Sequence, residues 1–323
     1  MSQLALNNLL SPPVLFFVLG LGAALARSDL TVPEAVAKFL AVYLLMSIGF
    51  RGGAEVAHHG LTGQVAASLA AGVVLSAGTP FLAFLMLRLT TSLGRADAAA
   101  VAAHYGSVSA VTFVAVTGAL TQLGVVFDGW LVAVAAAMET PAIFAALLLA
   151  RGKDASGGGR AGPHLVREIA LNGSIVVLLG AFAVGALTGA RGMVGLKPFL
   201  IDAFPGFLCV FLLDMGLVAG RGLKQGWKYL SLPAAAFALY MPLIGAAAGA
   251  GLAALIGLSP GSAAVLMTLA ASASYIAVPA AMRIALPQAN PAVSITLSLA
   301  VTFPFNLIVG IPLYIAVAAR VAG

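Results

Sequence analysis

Two short serine clusters, Gly106-Ser107-Val108-Ser109 and Ala271-Ser272-Ala273-Ser274, interrupt apolar stretches at matching places in the two halves of a 323-residue chain. A serine in an apolar helix ordinarily bonds its own i−4 carbonyl or packs at a helix contact. Adjacent helix-disfavouring residues in both halves, with Thr112 and Tyr275 just beyond, instead predict two unwound crossovers. Small side chains let two backbones approach, and hydroxyls can replace water around an ion. Half-helix N-termini converging at such a break present unpaired N–H groups and partial positive charge, which suits a small anion. Gly106, Ser107, Val108, Ser109, Ala271, Ser272, Ala273 and Ser274 are therefore candidate substrate-binding residues.

A second set of residues offers oxygens to a cation. Glu139 sits within an apolar run directly before Thr140-Pro141. A charged carboxylate in hydrocarbon costs several kcal/mol, so its position predicts a cation, a proton or a basic partner. No basic side chain is near it in sequence, and a proline frees a backbone carbonyl one turn earlier. Thr302 and Asn306, flanking Pro304, are the second-half counterpart and supply neutral oxygens, so the candidate cation ligands are Glu139, Thr112, Thr302, Asn306 and Asp97. Asp97 also reads as an N-terminal helix charge complementing the dipole. Asp214 is similarly costly and fits a helix contact or a gate equally well. His58-His59 read as solvent-facing residues of a polar loop rather than metal ligands. Cys209 stands alone, which excludes an intramolecular disulfide. No phosphate loop, nucleophile elbow or histidine-containing triad occurs in the chain.

The elements that must position these residues are membrane helices. With 62% hydrophobic and 8% charged residues, against roughly 25% charged in a soluble domain, the chain cannot cover itself with a polar surface. Apolar runs near the ~20 residues that cross the hydrocarbon fall at about 12–27, 33–50, 65–88, 98–122, 128–150, 166–189, 199–220, 230–256, 262–285 and 291–319. The first could be read as a signal peptide ending at Ala24-Leu25-Ala26, but residues 1–11 hold no Lys or Arg and the run has a second-half counterpart. The clear linker is 151–164, RGKDASGGGRAGPH, dividing residues 1–150 from 165–323. Five helices on each side of it make the second half enter from the opposite face. The predicted fold is an all-α integral membrane protein of about ten transmembrane helices, a five-plus-five inverted repeat with two broken crossover helices. Matches between halves support the repeat, among them Leu44-Leu45-Met46-Ser47-Ile48-Gly49 with Leu212-Leu213-Asp214-Met215-Gly216, and Met138-Glu139-Thr140-Pro141 with Val301-Thr302-Phe303-Pro304.

The net charge of +6 does not form an aromatic-interleaved basic patch, which speaks against nucleic acid. With the N-terminus outside, Arg27, Arg88, Arg95, Arg151, Lys153, Arg160, Arg167, Arg221, Lys224, Lys228 and Arg283 gather at cytoplasmic ends, against Arg51, Arg191, Lys197 and Arg320 on the other side. Positive charge inside sets orientation, so both termini are expected outside.

At these same residues the chain resembles the SbtA-type sodium-dependent bicarbonate transporters. The resemblance is carried by Ser11-Pro12-Pro13-Val14-Leu15-Phe16-Phe17, Ile48-Gly49-Phe50-Arg51-Gly52-Gly53, Tyr105 to Phe113, Phe127-Asp128-Gly129, Met138-Glu139-Thr140-Pro141-Ala142, Leu212 to Gly216 and Leu269 to Ala277, and it covers essentially the whole chain. It implies that helices 3–5 and 8–10 form a mobile core against a gate of helices 1, 2, 6 and 7, in a trimeric elevator-type sodium symporter of the bacterial inner membrane. It also implies that Ser107, Ser109, Ser272 and Ser274 line a bicarbonate site, with Glu139 and Asn306 near sodium. A PII-like cytoplasmic regulator belongs to the same family picture, although the 151–164 linker is shorter than the segment many relatives carry there.

The reading is thus a sodium-coupled importer of a small monoanion, bicarbonate by resemblance, working by alternating access. A cation/proton antiporter with Glu139 as proton carrier is the alternative. A membrane-embedded serine hydrolase is disfavoured, since only His104 lies near a cluster and it has no counterpart in the second half. The orientation is testable: a cysteine at Ser156, with Cys209 replaced, is expected to resist a membrane-impermeant thiol reagent in intact cells and to react once they are opened. Rapid labelling of intact cells would invert the topology.

Overall fold

The computed structural model describes residues 10–59, 62–139, 141–151, 173–226, 230–275, 278–279, 282 and 286–322. The linker 151–164 lies outside them apart from Arg151. Among the described residues the helices are α1 (Pro12–Leu25), α2 (Glu34–His59), α3 (Gly63–Thr90), α4 (Arg95–Gly106), α5 (Ala110–Gln122), α6 (Leu131–Ala137), α7 (Pro141–Arg151), α8 (Gly173–Lys197), α9 (Phe204–Gly226), α10 (Leu232–Ile256), α11 (Pro260–Ala271) and α12 (Pro291–Val321). Eight helical segments are long and apolar enough to span a membrane, with α4 and α5 together forming one and α6 and α7 another. The two remaining apolar helices, α1 and α11, are shorter.

Local chemistry sets these boundaries. Proline at the first helical turn, where an N–H would be unpaired anyway, opens α1, α10, α11 and α12. The hydroxyls of Ser231 and Ser259 cap α10 and α11 by accepting from Ala234 N–H and Ser262 N–H. Gly257 ends α10 with φ 73°, a left-handed conformation that glycine adopts without strain. The fifth apolar run does not form the single helix that its hydropathy predicts. α6 stops at Ala137 and α7 starts at Pro141, because a proline ring clashes with a preceding helical carbonyl and turns its neighbour away from helix. In α12 the corresponding Pro304 is absorbed differently. The helix widens into π turns at Thr296–Thr302 and Asn306–Gly310, which relax the steric demand while the chain continues.

Packing separates two environments. α1 lies along α9 and α2 along α8. In the other group α3 packs on α4, α10 on α11, α4 on α7, and α11 on the Ile311–Val321 end of α12. Every residue from Ala98 to Ser109 on the α4–α5 segment is buried, whereas most of α8 is exposed or half-buried. Lipid is as apolar as leucine, so close van der Waals contact must hold such helices together. Glycines provide it. A methyl added to Gly53 of α2 would lie 1.8 Å from the Phe182 carbonyl oxygen of α8, and one on Gly185 would lie 2.0 Å from that of Phe50. Gly20 of α1 and Gly216 of α9 meet Leu213 and Phe17 in the same reciprocal way.

These contacts predict the effect of the smallest side chain. Gly53→Ala should destabilise the detergent-solubilised protein by ~1–3 kcal/mol through overpacking, read as a lower thermal midpoint. Gly180→Ala, facing open space on α8, should leave the midpoint unchanged or raised. Equal midpoints for the two variants would contradict the close α2–α8 contact.

Candidate functional site

The two serine clusters are extended breaks, and the fold brings them together. α4 ends at Gly106, and Ser107 takes φ −93° and ψ 161°. Gly106 is required by proximity: a methyl there would come within 2.4 Å of the Pro80 ring of α3. The chain re-enters helix at Ala110, where Ser109 caps α5 by accepting from Thr112 N–H at 3.1 Å. In the second half α11 ends at Ala271, and Ser272 is extended with φ −80° and ψ 162°. The helix expected after Ser274 falls largely outside the described residues. Of the two half-helix N-termini anticipated from sequence, the α5 terminus is therefore the one the structure describes.

The breaks satisfy each other's backbone. Ser109 N–H donates to the Ser272 hydroxyl at 3.0 Å, and that hydroxyl donates to the Leu269 carbonyl at 2.8 Å. Ser274 N–H donates to the His104 carbonyl at 2.8 Å. The His104 ring is 2.5 Å from the Ser274 carbonyl through Nδ1. A carbonyl can only accept, so Nδ1 carries the proton. All four serines are buried, each at most 3% exposed. In hydrocarbon this mutual satisfaction is what permits unwound backbone at all.

Glu139 joins the first break. It sits in the turn between α6 and α7, 7% exposed, and Ser107 Oγ donates to its Oε2 at 3.0 Å. The same turn is clamped by α3: Ser76 Oγ donates to the Met138 carbonyl at 2.6 Å and accepts from Ala142 N–H at 3.2 Å. Among the described residues no basic side chain pairs with Glu139.

On the opposite side Thr302 Oγ1 donates to the Ala238 carbonyl of α10 at 2.7 Å, leaving Tyr105 OH to donate to Thr302 at 2.7 Å. Asn306 Nδ2 donates to the Ala271 carbonyl at 2.8 Å, at the end of α11, and its Oδ1 accepts from Tyr314 OH at 2.9 Å. Glu139 and Asn306 thus each touch one break by a side-chain hydrogen bond. Thr112 is buried beside the first break. Asp97 stands apart: its carboxylate accepts from Asn290 N–H at 2.7 Å, and it lies ten positions before Ser107, ~15 Å along helix geometry. Asp214 is buried on α9, which lies along α1 and also packs on Thr296–Thr302.

Four participants were not foreseen as site residues. His104 pins the second break, Tyr105 and Tyr314 hold Thr302 and Asn306, and Ser76 braces the Glu139 turn. Only His104 carried a signal, as a polar ring two residues before Gly106 in a run of alanines. No cluster of three or more His, Cys, Asp or Glu side chains exists among the described residues. Among the described residues the Glu139 carboxylate has the Ser107 hydroxyl as its hydrogen-bond partner.

Helices of this length and hydropathy, enclosing a polar crossing of two broken helices, make this a multi-pass membrane protein of the transporter class. The chain belongs to the Na+-dependent bicarbonate transporter superfamily, whose family model matches residues 12–319. No curated protein matches it.

Proposed function

We propose that the protein is a sodium-coupled symporter that imports bicarbonate by alternating access, with the anion bound at the crossing of the two breaks. The observation that carries this reading is the 3.0 Å hydrogen bond from Ser107 to Glu139, which sets a buried carboxylate one hydroxyl away from the anion-binding backbone. A sodium ion held by Glu139 with neighbouring oxygens, Thr112, Thr302 and Asn306 among the candidates, neutralises that carboxylate. It then attracts an anion at the crossing. Unit charges 4 Å apart gain about 4 kcal/mol at an effective dielectric near 20, more than the ~1–3 kcal/mol that typical coupling between sites requires. Asp97 is the weakest of the sodium candidates, because its carboxylate already accepts from Asn290 N–H.

The packing supports a five-plus-five inverted repeat of ten segments. Exchange of the halves maps the α1–α9 pair onto the α8–α2 pair, and the α3–α4 and α4–α7 pairs onto α10–α11 and α11–α12. The glycine-closed α1, α2, α8 and α9 group serves as the gate, and the group bearing the breaks serves as the core that moves. Both termini lie outside the bacterial inner membrane in this arrangement, and the 151–164 linker is the cytoplasmic face open to a PII-like regulator. A homotrimer accounts for large apolar residues on α8, such as Leu187 at 87% exposed, only in part, since lipid covers the same surface.

Two measurements test the site. Ser107→Ala combined with Ser272→Ala should abolish bicarbonate uptake in proteoliposomes while the protein still inserts and migrates as the parent does. Parental rate and half-saturation in that variant would remove the crossing as the substrate site. Glu139→Gln separates symport from the antiport alternative: as a sodium ligand its loss should raise the sodium half-saturation by about tenfold or more, the equivalent of ~1.4 kcal/mol. Sodium movement coupled to acidification of the lumen without any anion would establish Glu139 as a proton carrier instead.

A further inference from the structure

A cavity of about 100 Å³ is walled by α2, α5, α6, the Pro198–Asp202 turn and α9, ample beside the ~10–15 Å³ needed for one water. Most of its wall is apolar, and its polar side chains are Ser47 and Arg51 from α2 and Thr117, Thr121 and the Gln122 amide from α5. From α5 come Thr117 and Thr121, whose hydroxyl hydrogens are committed to the Phe113 and Thr117 carbonyls at 3.0 and 2.8 Å. These threonines present only lone pairs to the cavity. From α2 come donors. Ser47 is 3% exposed and its hydroxyl has no hydrogen-bond partner among the described residues. Arg51, one turn further on, is the only charged residue among those described as lining the cavity, and its guanidinium lies over the Phe127 ring, 5.9 Å from the centroid.

Among the described side chains, the two acidic residues next to this wall each have another partner. Asp128 accepts from Ser262 Oγ at 2.6 Å, and Asp202 pairs with Lys197 at 2.9 Å. Thr117 is eight positions after Ser109 on α5, ~12 Å along the helix, so the cavity lies over the far end of the half-helix whose N-terminus forms the crossing.

We propose that Arg51 and Ser47 form a recruiting site for a planar oxyanion, bicarbonate in this protein, at the outer mouth between gate and core. This rests on the symport reading and on the orientation given above. Guanidinium donors match the two-oxygen edge of a carboxylate-like anion, and the phenyl face behind them holds the group in place without neutralising it. Because Arg51 belongs to the glycine-locked α2–α8 pair, the charge stays at the mouth while the crossing travels. It raises local anion concentration but does not itself carry the ion.

The experiment uses full-length protein in proteoliposomes, with a sodium gradient and labelled bicarbonate. Arg51→Gln should raise the bicarbonate half-saturation by about three- to tenfold at low ionic strength, as expected for loss of a focusing charge. The difference should shrink near 0.15 M salt, where the Debye length falls to about 8 Å. The maximal rate and the sodium half-saturation should stay as in the parent. In Arg51→Cys with Cys209 replaced by serine, a trimethylammonium-bearing thiol reagent should restore the low half-saturation and a sulfonate-bearing reagent should raise it further. An unaltered half-saturation in Arg51→Gln, a loss confined to maximal rate, or equal effects of the two reagents would overturn the proposal. Absence of sodium-driven uptake by the parent would instead remove the transport reading, and this inference with it.

Discussion

Unwound backbone inside a membrane is affordable only if its N–H and C=O groups find partners, and that constraint governs this structure. The two breaks solve it by hydrogen-bonding across to each other: Ser109 to Ser272, and Ser274 to His104 in both directions. The crossing therefore depends on both halves being in register. Positioning is thus built from the same serines that offer the chemistry, and the surrounding helices are arranged to brace them. Ser76 fixes the turn that carries Glu139, and Tyr314 orients the Asn306 amide that holds the end of α11.

The two helix groups differ in the way they cohere. α1, α2, α8 and α9 meet at reciprocal glycine-to-carbonyl contacts that leave no room for a methyl group. The group around the breaks is tied by side-chain hydrogen bonds between helices and by deep burial of α4 and α5. Between the groups lies the Arg51 cavity, walled largely by apolar side chains.

Much of this was legible in the residues, for identifiable reasons. Hydropathy located the helical segments because hydrocarbon tolerates little else, and Gly106, Ser107, Ser272 and Ser274 announced the breaks because glycine and serine are poorer helix formers than the residues around them. The pairing of Glu139 with the first break was anticipated only as proximity to a cation site; that Ser107 makes the contact is a three-dimensional fact. Glu139 was expected within a continuous helix, yet Pro141 ends α6 first. Asn306 and Tyr314 meet across eight residues of α12, in a helix whose π turns shift the face that a 3.6-residue period assigns. His104 was equally compatible with core packing, since a histidine among alanines does not reveal which carbonyl its ring will reach. Asp97 accepts from Asn290 N–H, a partner 193 positions away that residue types alone do not point to.

The central claim is that a cation at Glu139 and an anion at the crossing stabilise each other. Uptake of labelled bicarbonate by the purified protein in proteoliposomes, with and without an inward sodium gradient, tests it most directly. The account predicts accumulation that requires sodium, with the apparent affinity for each ion improving as the other is raised. Uptake that is indifferent to sodium, or sodium affinity that does not respond to bicarbonate, would contradict it.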